Sequence, residues 1–308
     1  MPGRIVAVCK SEQKGVKKQN VRRGLLIASK GLQGDAHAGD WHRQISLLGI
    51  ESIQKMRELG ADVKPGDFAE NLTTQGINLV KFPVGTKLKT GESLIEITQI
   101  GKKCHSHCTI HKQVGNCIMP KEGVFARVLK GGPVAENDEI SVWKGITVGI
   151  VTASDKGSRG EREDKSAEEI RNLVQRINGE VIDYRVLPDD REILAQAMRE
   201  MADQRGVLLL FTTGGTGFSP RDITPEATRD VIEREVPGLP EAMRQESCKA
   251  TPRAMLSRAI AGIRGKCLII NLPGSPKGVR ECLEVILPVL PHAIEILSGT
   301  GGECGQSV

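Results

Sequence analysis

Aromatic side chains are nearly missing from this chain: two Trp, one Tyr and five Phe among 308 residues, 3% in all. That scarcity argues against the stacking platforms on which single-stranded nucleic acids are held. Long hydrophobic runs are missing too. The longest, such as VLLLF at 207–211, fall far short of the roughly 20 apolar residues of a membrane-spanning helix. The start, MPGRIVAV, has neither the apolar core nor the cleavage site of a secretory signal. Neither a repeat nor a low-complexity linker is present. Eight cysteines in such a chain read as reduced thiols, ligands or nucleophiles rather than disulfides. A cytoplasmic protein is expected.

What is there suits a soluble globular chain, with 39% apolar and 26% charged residues. The length suggests about two domains. The formal net charge of +5 is unevenly spread. Residues 1–145 hold 22 Lys/Arg against 14 Asp/Glu, and residues 146–308 hold 21 against 24. The basic excess gathers at QKGVKKQNVRR, 13–23. It reads as a solvated loop, or as a patch for an anionic ligand or an acidic partner.

The two halves have different rhythms. In the first, RIVAVCK, GLLIA, RQISLL, ENLTT and SLIEITQIG suit short strands between Gly-rich turns. One helix is expected at GIESIQKMRELG, with Ile50, Ile53 and Met56 on one face. Many short strands predict a β-rich, barrel-like fold over 1–143. In the second half, from 145 to 308, strands at 146–154, 180–187, 207–213 and 266–272 alternate with helices at 164–177, 191–204 and 277–287. That alternation predicts right-handed βαβ crossovers and a mostly parallel sheet.

Ligands of such sheets bind beyond the carboxyl ends of the strands. The four exits are TASDKGSRG (152–160), PDD (188–190), TTGGTGFSPRDITPEA (212–227) and NLPGSPKG (271–278). All are polar or glycine-rich and should converge on one crevice. Gly214, Gly215 and Gly217 allow the backbone to approach an anion and turn its N–H groups inward. Thr212, Thr213 and Thr216 add hydroxyls. No Walker Lys-Ser/Thr follows. Thr224-Pro225 reads as a helix start with Thr224 as N-cap. Lys277 offers a point charge, and Ser275-Pro276 a further helix start. Asp189 and Asp222 read either as turn aspartates or as site carboxylates. A carboxylate ~4 Å from a phosphate charge is repelled by about 4 kcal/mol at an effective dielectric near 20. Carboxylates facing a triphosphate therefore need a bridging cation, which Mg²⁺ suits. Asp190 could take the place of Asp189.

In that order, the four motifs resemble the family of molybdopterin adenylyltransferases and related molybdenum-cofactor biosynthesis proteins, over about residues 145–300. The resemblance implies a three-layer α/β domain, usually trimeric, that binds molybdopterin and ATP. Such a domain transfers AMP to the terminal phosphate of molybdopterin and releases pyrophosphate. Asp189 and Asp222 are then implied as catalytic, Mg²⁺-linked carboxylates. Thr213, Gly214, Gly215, Thr216 and Gly217 are implied as the phosphate-binding loop. Ser154, Asp155, Asn271, Pro273, Gly274, Ser275 and Lys277 are implied as lining the pterin and nucleotide pockets.

In the first half, LQGDAHAG (32–39), GDFAENLTTQGI (66–77) and a later cysteine resemble the MOSC family of sulfur-carrier domains. The resemblance implies a barrel-like fold and a cysteine able to carry sulfur as a persulfide, with Cys104 the best positional match. Asp35 and His37 would line the same cleft. The stretch GKKCHSHCTIHK (101–112) is crowded, and Cys117 follows it. Three readings stay open. Lys102, Lys103 and the histidines would favour a Cys104 thiolate. Cys104, Cys108, His111 and Cys117 would supply ligands to Zn²⁺ or Fe, although C-x3-C is not the usual spacing. Or the thiols are simply reduced. Cys9, Cys248, Cys267 and Cys282 read as core or helix-face residues.

Together the halves imply a cofactor-assembly enzyme, with an adenylylating domain and one that handles sulfur or metal. A sulfur donor and an apo-molybdoenzyme would be its partners, and the C-terminal domain would make it a homotrimer. The alternatives are a molybdopterin carrier without turnover, and a scaffold docking molybdoenzymes through the basic first half.

Overall fold

The structure is a computed structural model that describes residues 2–102 and 117–299. Its contacts divide the chain into two compact units, between Lys144 and Gly145.

The first unit runs β1 (Gly3–Lys10), β2 (Gln19–Asn20), β3 (Arg23–Ile27), β4 (Gly31–Leu32), β5 (Ile45–Gly49), α1 (Ile50–Glu58), β6 (Leu72–Gln75), β7 (Lys87–Thr90), β8 (Ser93–Ile100), α2 (Met119–Glu122), β9 (Val124–Lys130), β10 (Gly132–Ala135) and β11 (Glu139–Trp143). Seven strands pair in the order β11, β7, β8, β9, β5, β6, β1. Gly3 facing Ile140 and Arg4 facing Glu139 close the ring between β1 and β11. A closed barrel leaves these strands no free edge. Among these described strands, β5 and β6 form the parallel pair. Alternation decides what fills the interior. Ile45 and Leu47, Ile95 and Ile97, and Val124, Ala126 and Val128 all belong to one buried cluster. Leu48 and Phe125, at the intervening positions, pack with Ile53 and Met56 of α1 in a second cluster.

The second unit runs β12 (Ile146–Ala153), α3 (Asp155–Ser158), α4 (Lys165–Val174), β13 (Gly179–Leu187), α5 (Arg191–Asp203), β14 (Leu209–Thr213), α6 (Thr224–Arg229), β15 (Arg234–Glu235), α7 (Gly238–Ala250), β16 (Ala261–Arg264), β17 (Cys267–Leu272), α8 (Pro276–Ile286) and α9 (Leu290–Ser298). The sheet order is β13, β12, β14, β17, β16, β15. The first four strands are parallel. The last two are antiparallel. The mostly parallel sheet is therefore a block of four parallel strands, β13, β12, β14 and β17, extended at the β17 side by antiparallel pairings, which short strands such as AGIR do not announce. Val148, Ile150, Leu209 and Phe211 face Ile170, Val174, Val279 and Leu283 of α4 and α8. On the opposite face, a Cβ added at Gly149 would stand 3.0 Å from Met201 Sδ of α5. With both faces covered, β12 is buried at all its positions. Among the described residues, no helix is long and apolar enough to cross a membrane.

Candidate active site

Strand register brings the four exits together. Thr152 pairs with Thr213, Thr213 with Leu272, and Ala153 with Leu187. The next residues along the chain therefore leave the sheet at one level. There a cleft of about 580 Å³ is lined by Ser154, Asp189, Thr213, Gly214, Gly215, Asp222 and Gly274 among others.

The glycines are required sterically at two positions. Gly214 has φ +91°, and a Cβ there would stand 2.4 Å from the Ala153 carbonyl oxygen. Gly215 has φ +63°, and its Cβ would stand 2.4 Å from Thr224 Oγ1. Both conditions exclude side chains. Thr213 Oγ1 donates to the Pro273 carbonyl at 2.6 Å, tying this loop to the exit of β17.

Asp155 and Asp189 hold each other. Asp155 N–H donates to Asp189 Oδ2 at 2.9 Å, and Asp189 N–H donates to Asp155 Oδ1 at 3.0 Å. Asp189 Oδ1 has no protein partner among the described residues and lies 3.5 Å from where a Gly215 Cβ would be. Asp222 repeats the pattern: its Oδ2 accepts the Ser219 N–H at 2.8 Å, and Oδ1 is left over. Each carboxylate thus spends one oxygen on the backbone and keeps the other. Burial pushes Asp189 above its ordinary pKa, and the charges of Asp155 and Asp222 add to that, against the Asp155 amide and Arg221. The bonds from Arg221 hold Asp155 below its ordinary value. Asp190 faces elsewhere: its side chain caps α5 by accepting the Ile193 N–H at 3.0 Å.

Two arginines brace the loop after β14. Arg258 donates to the carbonyls of Gly217 and Asp222 and to Glu226. Arg221 forms a forked pair with Asp155. Neither stood out in the sequence, because arginine in a loop carries no positional signal. In the sequence, Asp164 and Ser166 mark only the start of a helix. Both line the cleft. Asp164 caps α4 and accepts the Tyr184 hydroxyl at 2.8 Å, while Ser166 Oγ donates to the Gly274 carbonyl at 3.1 Å.

The other expected residues divide into two groups. Thr216, Gly217, Pro273, Ser275 and Lys277 line a second cleft of about 390 Å³, with Met243, Leu256 and Arg253. Ser275 caps α8 by accepting the Gly278 N–H. Lys277 is exposed and reaches Glu281 at 3.7 Å. Asn271 lines neither cleft. It is fully buried, and its amide bonds Thr212, Thr228 and the Ile260 N–H, locking β17 to its neighbours. Thr224 is not the cap of α6, a position that Ile223 takes. The Thr224 N–H instead donates to the Gly215 carbonyl at 3.1 Å, so the helix begins against the glycine loop.

In the first unit, Cys104, Cys108 and His111 lie outside the described residues. Among the described residues, no group of three or more His, Cys, Asp or Glu is placed to hold a metal ion. Asp35 does not line an open cleft. Its side chain is 1% exposed and pairs with the equally buried Lys18 at 2.8 Å, while the N–H groups of Ser11 and His37 donate to it. Glu70, of the GDFAENLTT motif, is also fully buried and accepts from Gly66 N–H and Thr73 Oγ1. Cys9 and Cys267 are core residues, and burial pushes each thiol up to about 12.

A family model described as a probable molybdopterin binding domain matches residues 149–292, and the MOSC domain model matches residues 34–141. The molybdopterin adenylyltransferase of Helicobacter pylori strain J99 is 43% identical over 156 residues, covering 50% of this chain and 89% of its own length. The chain belongs to the molybdopterin adenylyltransferase family. The molybdopterin adenylyltransferase of Escherichia coli K12 is 37% identical over 177 residues, covering 53% of this chain and 91% of its own. A crystal structure of the molybdopterin biosynthesis enzyme MoaB from Thermus thermophilus is 52% identical, covering 50% of this chain and 97% of that one, with a TM-score of 0.48. The adenylyltransferase relatives match the C-terminal half. The glycine loop and the two carboxylates lie in that half.

Proposed function

We propose that the second unit transfers AMP from ATP to the terminal phosphate of molybdopterin and releases pyrophosphate. The observation that carries this reading is the pair of half-used carboxylates, Asp189 and Asp222, facing a loop of glycines at one sheet edge. The loop offers backbone N–H groups to phosphate oxygens without side chains in the way. Its two flanking clefts give room for two ligands. The one at Met243 and Leu256 is the more apolar and suits a planar ring.

Mg²⁺ fits what the carboxylates offer. The donors are oxygens only, and one from each of two residues leaves positions for phosphate oxygens. When bound, it neutralises charge on the phosphates. The chain's own residues hold the geometry. Asp155 fixes Asp189, Ser219 fixes Asp222, and Arg258 fixes the loop between the ligands. A pterin phosphate oxygen then attacks the α-phosphorus in line. The new O–P bond forms as the bond to the β-phosphate oxygen breaks, and the electron pair leaves with pyrophosphate. Positioning and charge neutralisation supply most of the rate in such a transfer.

For the first unit we propose sulfur handling at Cys104 for the same cofactor, with a sulfur donor and an apo-molybdoenzyme as partners. A homotrimer through the second unit completes the reading. Purified chain incubated with molybdopterin, ATP and Mg²⁺, followed by mass spectrometry, tests it. Adenylylated molybdopterin is the expected product. Bound but unchanged molybdopterin would make the chain a carrier.

A further inference from the structure

Among the described residues, the pair of Arg221 with Asp155 is the ion pair that joins two of the four strand-exit loops. Arg221 Nη2 lies 2.7 Å from both Asp155 oxygens, and Nε lies 3.1 Å from Oδ2. Asp155 Oδ1 simultaneously accepts the Asp189 N–H, and Asp189 Oδ2 accepts the Asp155 N–H. At its other end Arg221 is bonded in sequence to Asp222, on the loop that Ser219 and Arg258 hold. The four residues therefore form a continuous series of links, from Asp222 through Arg221 and Asp155 to Asp189. As a surface ion pair, with Arg221 63% exposed, the contact contributes little to stability. Its place in this series gives it another use.

We propose that Arg221 is the positioning residue of this site. By gripping Asp155 it orients the Asp189 carboxylate, and with it the spacing of the two unbonded oxygens, Oδ1 of Asp189 and Oδ1 of Asp222. The inference rests on the adenylyltransferase reading and deepens it.

A plain counter-charge would behave in the opposite way. Removing a positive charge beside two carboxylates raises the local negative potential and tightens a divalent cation. Removing a strut scatters the two oxygens and loosens it. The sign of the change therefore decides between the roles.

The test uses the full chain with a non-hydrolysable ATP analogue. Mn²⁺ is titrated in, and the free ion is read by electron paramagnetic resonance. Arg221→Gln should weaken Mn²⁺ binding about tenfold, the usual cost of losing a partner that orients a ligand. Asp155→Asn should do the same, and the double substitution should be no worse than either alone, because both remove one strut. Arg221→Lys keeps the charge but not the fork, and should resemble Arg221→Gln. In AMP transfer, the half-saturating Mg²⁺ concentration should rise while the rate at saturating Mg²⁺ largely returns. Equal or tighter Mn²⁺ binding by Arg221→Gln, or additive losses in the double variant, would overturn the proposal. If the unsubstituted chain transfers no AMP, the adenylyltransferase reading fails, and the Mn²⁺ comparison still decides the role of Arg221.

Discussion

Asp155 and Asp189 each accept the other's backbone N–H, at 3.0 and 2.9 Å, and so lock the exit of β12 to the exit of β13. Burial and neighbouring charge act against ionised Asp189, while the Asp155 N–H holds its Oδ2 and leaves Oδ1 unbonded on a residue that lines the cleft. A site arranged this way carries excess negative charge until a cation or a cationic group arrives.

Replacing Asp222 with Asn keeps the size of the side chain and removes the charge. AMP transfer should fall at least ~100-fold, the scale of losing one preorganised electrostatic contact in a transfer site. Molybdopterin binding, measured by fluorescence of the pterin, should persist. Full turnover by this variant in Mg²⁺ would remove Asp222 from the mechanism.

Gly214→Ala should be costly for two separate reasons. Left-handed backbone costs an alanine roughly 1–2 kcal/mol. The new methyl would also stand 2.4 Å from the Ala153 carbonyl oxygen, which belongs to a central strand and cannot yield. Gly160→Ala is the control, with φ +74° but nothing within 4 Å of the added carbon. Denaturant melts should show a markedly larger loss for Gly214→Ala. Equal losses would mean that the close approach is not a constraint.

The four chemistry-bearing loops could be read in the sequence because glycine, proline and aspartate punctuate strand exits for backbone reasons. The central strands could be read from their unbroken apolar runs. Residues 229–265 gave no such signal. The helix at Gly238–Ala250 buries only Pro240 and Met243, and β15 has two residues. The barrel-like first unit was legible from its many short strands, but not which strands close it, since that depends on β1 meeting β11 across the whole unit. Asp35 and Glu70 were misleading or silent for a related reason. Charged residues in Gly-rich turns look solvent-facing until tertiary packing buries them with Lys18 and Thr73.

The buried pair in the first unit yields a stability prediction. Burial lowers the pKa of Lys18, so its charge is held by Asp35. Asp35 itself is depressed: bonds from His37 and Lys18 outweigh its burial. A depressed carboxylate contributes stability above the ordinary aspartate range. That contribution is lost as the pH falls through this range toward the lower native pKa. Asp35→Asn should cost about 3–5 kcal/mol at neutral pH, because Lys18 is left buried and uncompensated. Asp35→Asn combined with Lys18→Met should recover much of it. Chemical denaturation from pH 7 to 3 checks both. No recovery in the double variant would mean that the pair's geometry matters more than its charge.

For Cys104, incubation of the full chain with a persulfide donor should add one sulfur atom, seen by intact mass spectrometry and removed by a reductant. Cys104→Ser should abolish the adduct. Persistence of the adduct in that variant would place the sulfur on another cysteine and remove Cys104 from the role.

The most direct measurement is pyrophosphate release from ATP by the purified chain, with molybdopterin and Mg²⁺ each supplied or withheld. Release that requires both, and that disappears in Asp189→Asn and Asp222→Asn, is the predicted result. Release without molybdopterin, or none at all from a folded chain that binds both ligands, would contradict it.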